Sequence, residues 1–283
     1  MALPKEFQFS QASLQDFVDC SRRFQLRHLR RLQWPAVEAE PVEERERRME
    51  LGMAFHRMVQ QHVIGIEAAR IARTALDPDL RAWWQSYLTY RPIESFGGAS
   101  EAAQVRSEVS LVGQVAGYRL IAKYDLVIIE PGRQFVILDW KTSKKRTPED
   151  VLRRRLQTRV YPFLAVQAGA RLAHGQSVEP SHVEMVFWFP AFPQSPARLV
   201  YDETRYAEDA DFLRRLIGRI AGMGDDEFYL TDVEERCLYC AYRSYCERGV
   251  KAGALADVMA ALELEEQVID LEMDFEQIAE IEF

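Results

Sequence analysis

The 283-residue sequence lacks several features that would set it apart from ordinary globular proteins. Its longest apolar runs, such as residues 183–190, fall far short of the ~20 residues that cross a bilayer. Its first residues show no basic segment followed by an apolar stretch, so we expect neither secretion nor a membrane partner. A cytoplasmic location follows, where the four cysteines are more typical of free thiols or metal ligands than of disulfides.

Basic residues are missing from one part of the chain. Residues 252–283 contain ten carboxylates and no Lys or Arg. The net charge of -8 argues against a polyanionic partner, but outside this segment 34 carboxylates face 36 basic residues, so residues 1–251 carry +2. We predict a folded domain over 1–251 and an acidic tail over 252–283. The tail would be a solvated helix packed on the domain, a docking helix for a partner protein, or an anionic plug for a basic groove.

Hydrophobic periodicity predicts the α/β class with a mixed sheet flanked by helices. Helical spacing covers one or two segments from Ser10 to Leu29, then 51–66, about 77–90, 147–173 and 203–222. Alternating and β-branched segments predict an antiparallel meander at about 105–111, 118–129 and 135–140, punctuated by Gly113 and Pro131-Gly132, and two later strands at about 183–189 and 197–201.

Two carboxylates, Asp125 and Asp139, end apolar segments of this meander. If the second and third strands pair across Pro131-Gly132, the two acids lie about opposite each other. With the backbone carbonyl of Trp140 they would form a hard oxygen site suited to Mg²⁺ or Mn²⁺. Lys141 leaves the same face as Asp139 and would steer a water or stabilise charge on a phosphate. The alternative is a plain Asp–Lys ion pair at a strand end.

Further residues favour the metal-site interpretation. Gln157 and Tyr161 are spaced i, i+4 on one helix face, directly after the Asp139-Trp140-Lys141 strand. His56 follows Gly52 by four residues on an upstream helix. Taken in this order, these positions resemble the RecB-like branch of the PD-(D/E)XK nuclease superfamily, which includes CRISPR-associated adaptation nucleases and modules of bacterial helicase–nucleases. The similarity extends to the opening segment that contains Ser10, Ser13, Cys20 and Phe24, and to the pattern Cys237-x-x-Cys240-x5-Cys246.

The resemblance implies a restriction-endonuclease-like core and specific roles for these residues. His56, Asp125, Asp139 and the Trp140 carbonyl would hold the metal, and Lys141 would be the catalytic cation. Gln157 and Tyr161 would orient the substrate phosphate or the active-site loop. Glu108, on the first strand of the meander, is either a further acid behind the ligands or a solvent-facing strand residue.

The four cysteines are the second candidate site. Four thiolates can hold zinc or a [4Fe–4S] cluster, and their spacing does not decide between them. The resemblance favours the cluster, held by Cys20, Cys237, Cys240 and Cys246, which would join the N- and C-terminal segments. The alternative is a buried Cys20 and a fortuitous group of three.

Arginines and aromatic residues point to a nucleic-acid substrate. Basic clusters occur at Arg22 to Arg31, at Arg45 to Arg48 and at Arg153 to Arg155, where phosphate contacts or solvated helix faces would explain them. The residues available to stack on bases are Trp34, Trp83, Trp84 and Tyr87.

The sequence therefore predicts a metal-dependent deoxyribonuclease, an exonuclease on single-stranded DNA or free ends in repair, recombination or CRISPR and phage defence. Two other readings remain open. The first is a DNA-binding subunit of a larger complex with minor or partner-dependent nuclease activity, and the second is a zinc-stapled structural protein.

Overall fold

The computed structural model describes residues 3–33, 42–238 and 240–249, with backbone alone for 42–46. The predicted stacking residue Trp34 and the acidic tail lie outside these residues. The strands are β1 (Gln8–Ser10), β2 (Gln104–Val115), β3 (Tyr118–Glu130), β4 (Gln134–Trp140), β5 (Val183–Trp188) and β6 (Ala197–Val200). The helices are α1 (Gln11–Asp19), α2 (Ser21–Phe24), α3 (Val42–Val63), α4 (Ala68–Ala72), α5 (Pro78–Tyr90), α6 (Glu149–Arg153), α7 (Gln157–Ala168) and α8 (Glu203–Gly222).

The six strands form one mixed sheet, as predicted. The strand order is β2-β3-β4-β5-β6. Strand β1 pairs in parallel with the first part of β3, at Arg119–Ile121, and β4 pairs with the last part, at Leu126–Glu130. The meander β2-β3-β4 is antiparallel, β4 and β5 are parallel, and β5 and β6 are antiparallel. The last pair of β3 with β4 is Leu126 with Leu138, so Asp125 and Asp139 occupy the next position in the predicted register.

Two hydrophobic clusters cover the two faces of the sheet. On one face, side chains of α1, α7 and α8 pack against the strands. On the other face, α3, α4 and α5 supply an aromatic group around Phe55, Trp84 and Trp140. The chain is therefore a three-layer α/β structure, in which the sheet separates the two clusters. Among the described residues, no helix is both long enough and apolar enough to cross a membrane.

Three details of the sequence-based fold were wrong. Residues 8–10 form strand β1, with Ser10 as its last residue and as the N-cap of α1 in a capping box with Ser13. The predicted helix over 147–173 is two helices separated at residues 154–156. Gly113 does not end a strand, because the β2–β3 turn lies at Ala116-Gly117, both with positive φ. A Cβ at Gly113 would lie 2.6 Å from Leu164 Cδ2, so glycine lets α7 approach β2 closely.

Candidate active site

The strands β2 and β3 contain one point at which the side chains switch from one face of the sheet to the other. In β3, Tyr124 and Val127 both face the α7 side, whereas Leu126 faces the α3 side. A regular strand alternates every residue, so the pattern shifts by one between 124 and 127. Across from Asp125, Glu108 of β2 has a φ of 54°, a left-handed conformation that a glutamate rarely adopts. Observed strain of this kind is concentrated at functional sites.

The inversion brings two carboxylates to a histidine of helix α3. One ligand atom each of His56, Glu108 and Asp125 lies within 4.8 Å of the others. His56 Nδ1 is 3.3 Å from Asp125 Oδ1, and His56 Nε2 is 3.2 Å from the Trp140 carbonyl oxygen. All three side chains are partly buried, and Phe55 beside His56 is anchored in the aromatic cluster. The two carboxylates and the Trp140 carbonyl match the oxygen preference of Mg²⁺ and Mn²⁺, and the imidazole adds one nitrogen donor.

A second polar group lies directly behind this one. Lys141 Nζ is 2.9 Å from Asp139 Oδ2, and the amide of Gln157 donates to Asp139 Oδ1 at 2.6 Å. Asp139 and Lys141 are 3% and 8% exposed. The Trp140 N–H between them donates to Asp125 Oδ2 at 2.9 Å. This hydrogen bond connects the buried Asp139–Lys141 pair to the His56, Glu108 and Asp125 group.

Tyr161 is buried, as Asp139 and Gln157 are, and it contacts strand β3. Its ring packs against Tyr124 at 5.0 Å, and its backbone oxygen accepts a hydrogen bond from the Tyr124 hydroxyl at 2.9 Å. Burial raises the pKa of Tyr124 far above its usual range, so the hydroxyl remains a donor at any physiological pH. This contact ties α7 to β3 next to Asp125.

The structure thus brings together His56, Asp125 and the Trp140 carbonyl, and it adds Glu108 to them. Asp139 pairs with Lys141 and Gln157 and is outside that group of three. Sequence reasoning undervalued Glu108, because the local strand pattern gives no sign of the inverted alternation. Lys144, Lys145 and Arg146 form a basic run in the loop after Lys141, and the Arg146 side chain donates to the Ser195 carbonyl.

Many arginines of the predicted phosphate-binding clusters form ion pairs within the protein. In the part of the chain that the structure describes, Arg23 and Arg27 contact Asp16, and Arg153 and Arg154 pair with acids one turn earlier on their own helix. Arg30 and Arg47 also pair with carboxylates. Trp84 and Tyr87 are buried in the core, so they are not available to stack on bases.

The four cysteines line one cavity between the two ends of the described chain. Ser21 Oγ and the Arg22 N–H both donate to the Tyr229 carbonyl, and Arg236 donates to the carbonyls of Val18 and Asp19. Burial raises the pKa of the Cys240 thiol to about 11, and it raises the pKa of the Cys237 and Cys246 thiols too. These three thiols are therefore protonated at neutral pH.

Fold and site together define a three-layer α/β protein with a histidine–carboxylate group and an adjacent buried lysine. The chain belongs to the PD-(D/E)XK nuclease superfamily, whose family model matches residues 8–247. No curated protein matches the sequence. Among solved structures, the protein designated SSO0001 is similar, with 14% identity over 87% of this chain and 88% of the other and a TM-score of 0.40. A protein from Eubacterium rectale that is provisionally named an exonuclease shows 11% identity over 76% of this chain and 80% of the other, with a TM-score of 0.47.

Proposed function

We propose that this chain is a metal-dependent deoxyribonuclease of the RecB-like branch, and that it acts as an exonuclease on single-stranded DNA. The convergence of His56, Glu108 and Asp125 next to Lys141 is the observation that carries this proposal. Membership of a nuclease superfamily supplies the reaction class, the hydrolysis of a phosphodiester bond.

The donor set fits a divalent cation. His56, Glu108, Asp125 and the Trp140 carbonyl would hold Mg²⁺ or Mn²⁺, with Asp139 as a further ligand once Lys141 or Gln157 releases an oxygen. A bound cation would supply Lewis-acid stabilisation of the phosphate and lower the pKa of a water.

Lys141 and its neighbours would act on the reacting phosphate. The Lys141 ammonium is held by Asp139, and its backbone N–H donates to the Trp188 carbonyl, so its position is fixed by strand β5. From there it would stabilise charge that develops on the phosphate oxygens. Gln157 positions Asp139 through a buried hydrogen bond, and Tyr161 holds the N-terminal half of α7 against β3.

A cleavage assay tests this proposal. We expect the purified chain with Mn²⁺ to degrade end-labelled linear single strands and to spare circular ones of the same sequence, with duplex DNA as the comparison. EDTA should abolish cleavage because the cation is removed. Cleavage of the circles would contradict the exonuclease assignment. Binding without cleavage of any substrate would favour a DNA-binding subunit instead.

We further propose that the four cysteines hold one [4Fe–4S] cluster. They line one cavity between the N- and C-terminal segments of the described chain. Four thiolates at one place can hold zinc or a [4Fe–4S] cluster, and the resemblance to the RecB-like branch favours the cluster. It would join α1 to the C-terminal segment.

The cluster proposal predicts a brown preparation with visible absorption and about four irons per chain. Replacing Cys237 by serine should remove the colour and lower the melting temperature, because the two ends of the domain lose their common anchor. Metal analysis provides the check: stoichiometric zinc in a colourless protein would instead establish the zinc-stapled reading.

We place the activity in the cytoplasm, in repair, recombination or CRISPR and phage defence. The acidic tail, outside the described residues, would serve as the contact for a protein partner.

A further inference from the structure

A two-stranded strip leads away from the metal-binding group along the outer face of β2 and β3. Its cross-strand pairs are Ser110 with Lys123, Val112 with Ile121 and Gln114 with Arg119. The opposite face of the same segment is buried against the helices through Leu111, Val115, Leu120 and Ala122. The strip side is open, since Ser110, Gln114, Arg119 and Lys123 are exposed.

The strip starts at the active site. Lys123 Nζ lies 2.6 Å from Glu108 Oε2, so the first pair on the strip touches the metal-binding group. Arg119 is six residues from Asp125 on β3, a distance of about 20 Å along an extended strand. The far end of the strip is thus several nucleotides away from the point of cleavage.

A cavity of about 640 Å³ opens at that far end, where Gln114 and Arg119 meet the residues at the C-terminal end of α7, a helix that packs on the opposite face of the two strands. Its polar lining consists of Gln114, Arg119, Gln167 and Arg171, with no carboxylate. Within the described residues, neither Arg119 nor Arg171 forms an ion pair or a side-chain hydrogen bond. Arg153, Arg159 and Arg198 contrast with them, because each pairs with an acid.

We propose that this strip is a binding track for a single nucleic-acid strand, and that Arg119 and Arg171 hold its phosphates about 20 Å from the metal site. Guanidinium groups bind phosphate in a bidentate manner and remain charged at all relevant pH values. The exposed side chains of the strip are polar or basic, and its apolar pair, Val112 with Ile121, is half-buried. This surface suits a sugar–phosphate backbone better than a protein partner, which would need larger exposed apolar side chains. The inference rests on the proposed function, which it extends from the reaction to the way in which the substrate is held.

Binding measurements test the track without cleavage. The double variant Arg119→Gln/Arg171→Gln is compared with Arg73→Gln, which removes an exposed arginine outside the strip, directly after α4. Fluorescence anisotropy with a labelled 12-nucleotide strand, in EDTA, gives the dissociation constant at several salt concentrations. We expect affinity to fall roughly tenfold for each arginine. The slope of log affinity against log salt should decrease by about 1.4, since each phosphate contact in a single strand contributes about 0.7.

Steady-state cleavage of strands of different length provides the second readout. A 12-nucleotide strand spans the ~20 Å between the metal site and the two arginines. A dinucleotide is too short, because its one internucleotide phosphate cannot be at the metal site and at the arginines together. In the double variant, KM for the longer strand should rise by up to about a hundredfold, and KM for the shorter strand should stay within about twofold of the wild-type value.

The outcomes separate the two proposals. An unchanged dissociation constant and salt slope in the double variant would overturn the track, as would equal losses in Arg73→Gln. Equal KM changes for both lengths would also overturn it, because they would assign the effect to the fold or to the metal site. If the arginines determine binding but the wild-type chain cleaves nothing, the track is supported and the nuclease proposal fails.

Discussion

The variant Asp125→Asn should lose roughly three orders of magnitude in kcat for DNA cleavage. Asparagine keeps the size of the side chain and an oxygen that can accept the Trp140 N–H, so the β3–β4 junction should remain intact. It removes one of the two carboxylate charges in the group of His56, Glu108 and Asp125. The remaining group should attract a divalent cation much less strongly. Rapid-quench cleavage of a labelled strand, with Mn²⁺ titrations by calorimetry, measures both effects.

Glu130→Gln is the matched control for this prediction. Glu130 is the last residue of the same strand, but it pairs with the exposed Arg133 at the far end of β3. Cleavage and Mn²⁺ affinity should stay within about twofold of the wild-type values, since an exposed ion pair contributes little to stability. Full activity in Asp125→Asn, with an unchanged Mn²⁺ titration, would refute the assigned site.

The second large effect should come from Asp16→Asn, which we expect to destabilise the fold by about 3 kcal/mol. Asp16 is nearly buried, and its carboxylate contacts Arg23 at 2.7 Å, His28 at 2.9 Å and Arg27 at 3.3 Å. The neutral amide would leave these donors without their counter-charge. Chemical denaturation monitored by circular dichroism gives the change in unfolding free energy, and Asp211→Asn on the exposed surface of α8 should change it by less than about 0.5 kcal/mol.

The same carboxylate makes stability depend on pH. Burial would raise the pKa of Asp16, but attraction from Arg23, the hydrogen bond from His28 and attraction from Arg27 outweigh burial and hold the pKa below its ordinary value. An acid with a lowered folded-state pKa stabilises the fold above its unfolded-state pKa and loses that contribution on acidification. The stability gap between wild type and Asp16→Asn should therefore narrow as the pH falls below about 4. A constant gap down to pH 2 would show that Asp16 contributes through packing alone.

Periodicity located most of the sheet because its strands are strongly patterned. The β-branched segments at β3, β4 and β5 and the turn at Pro131-Gly132 predicted the meander and its register within a residue or two. The three-residue strand β1 was missed because Ser10 also caps α1, and the helical pattern that follows dominates any window around it. Short parallel strands depend on a distant partner, here β3, that local sequence does not reveal.

The composition of the candidate site followed from the sequence more than its arrangement did. His56, Asp125 and Lys141 lie on α3, on β3 and directly after β4, because the antiparallel pairing of β3 with β4 brings these strand ends together. The role of Glu108 and the pairing of the arginines depend on contacts between distant residues, such as Arg27 with Asp16 and Arg47 with Asp77. The hydrophobic periodicity of the sequence does not predict contacts between such distant residues.

The backbone at Glu108 has a consequence for anyone who evolves or engineers this protein. A left-handed glutamate inside a strand costs about 1 kcal/mol or more, and glycine at that position would remove the cost. A screen that selects only for heat resistance would therefore favour glycine at 108 and enrich well-folded proteins without that carboxylate. Thermostabilisation of this chain requires a selection that reads out catalysis at every round.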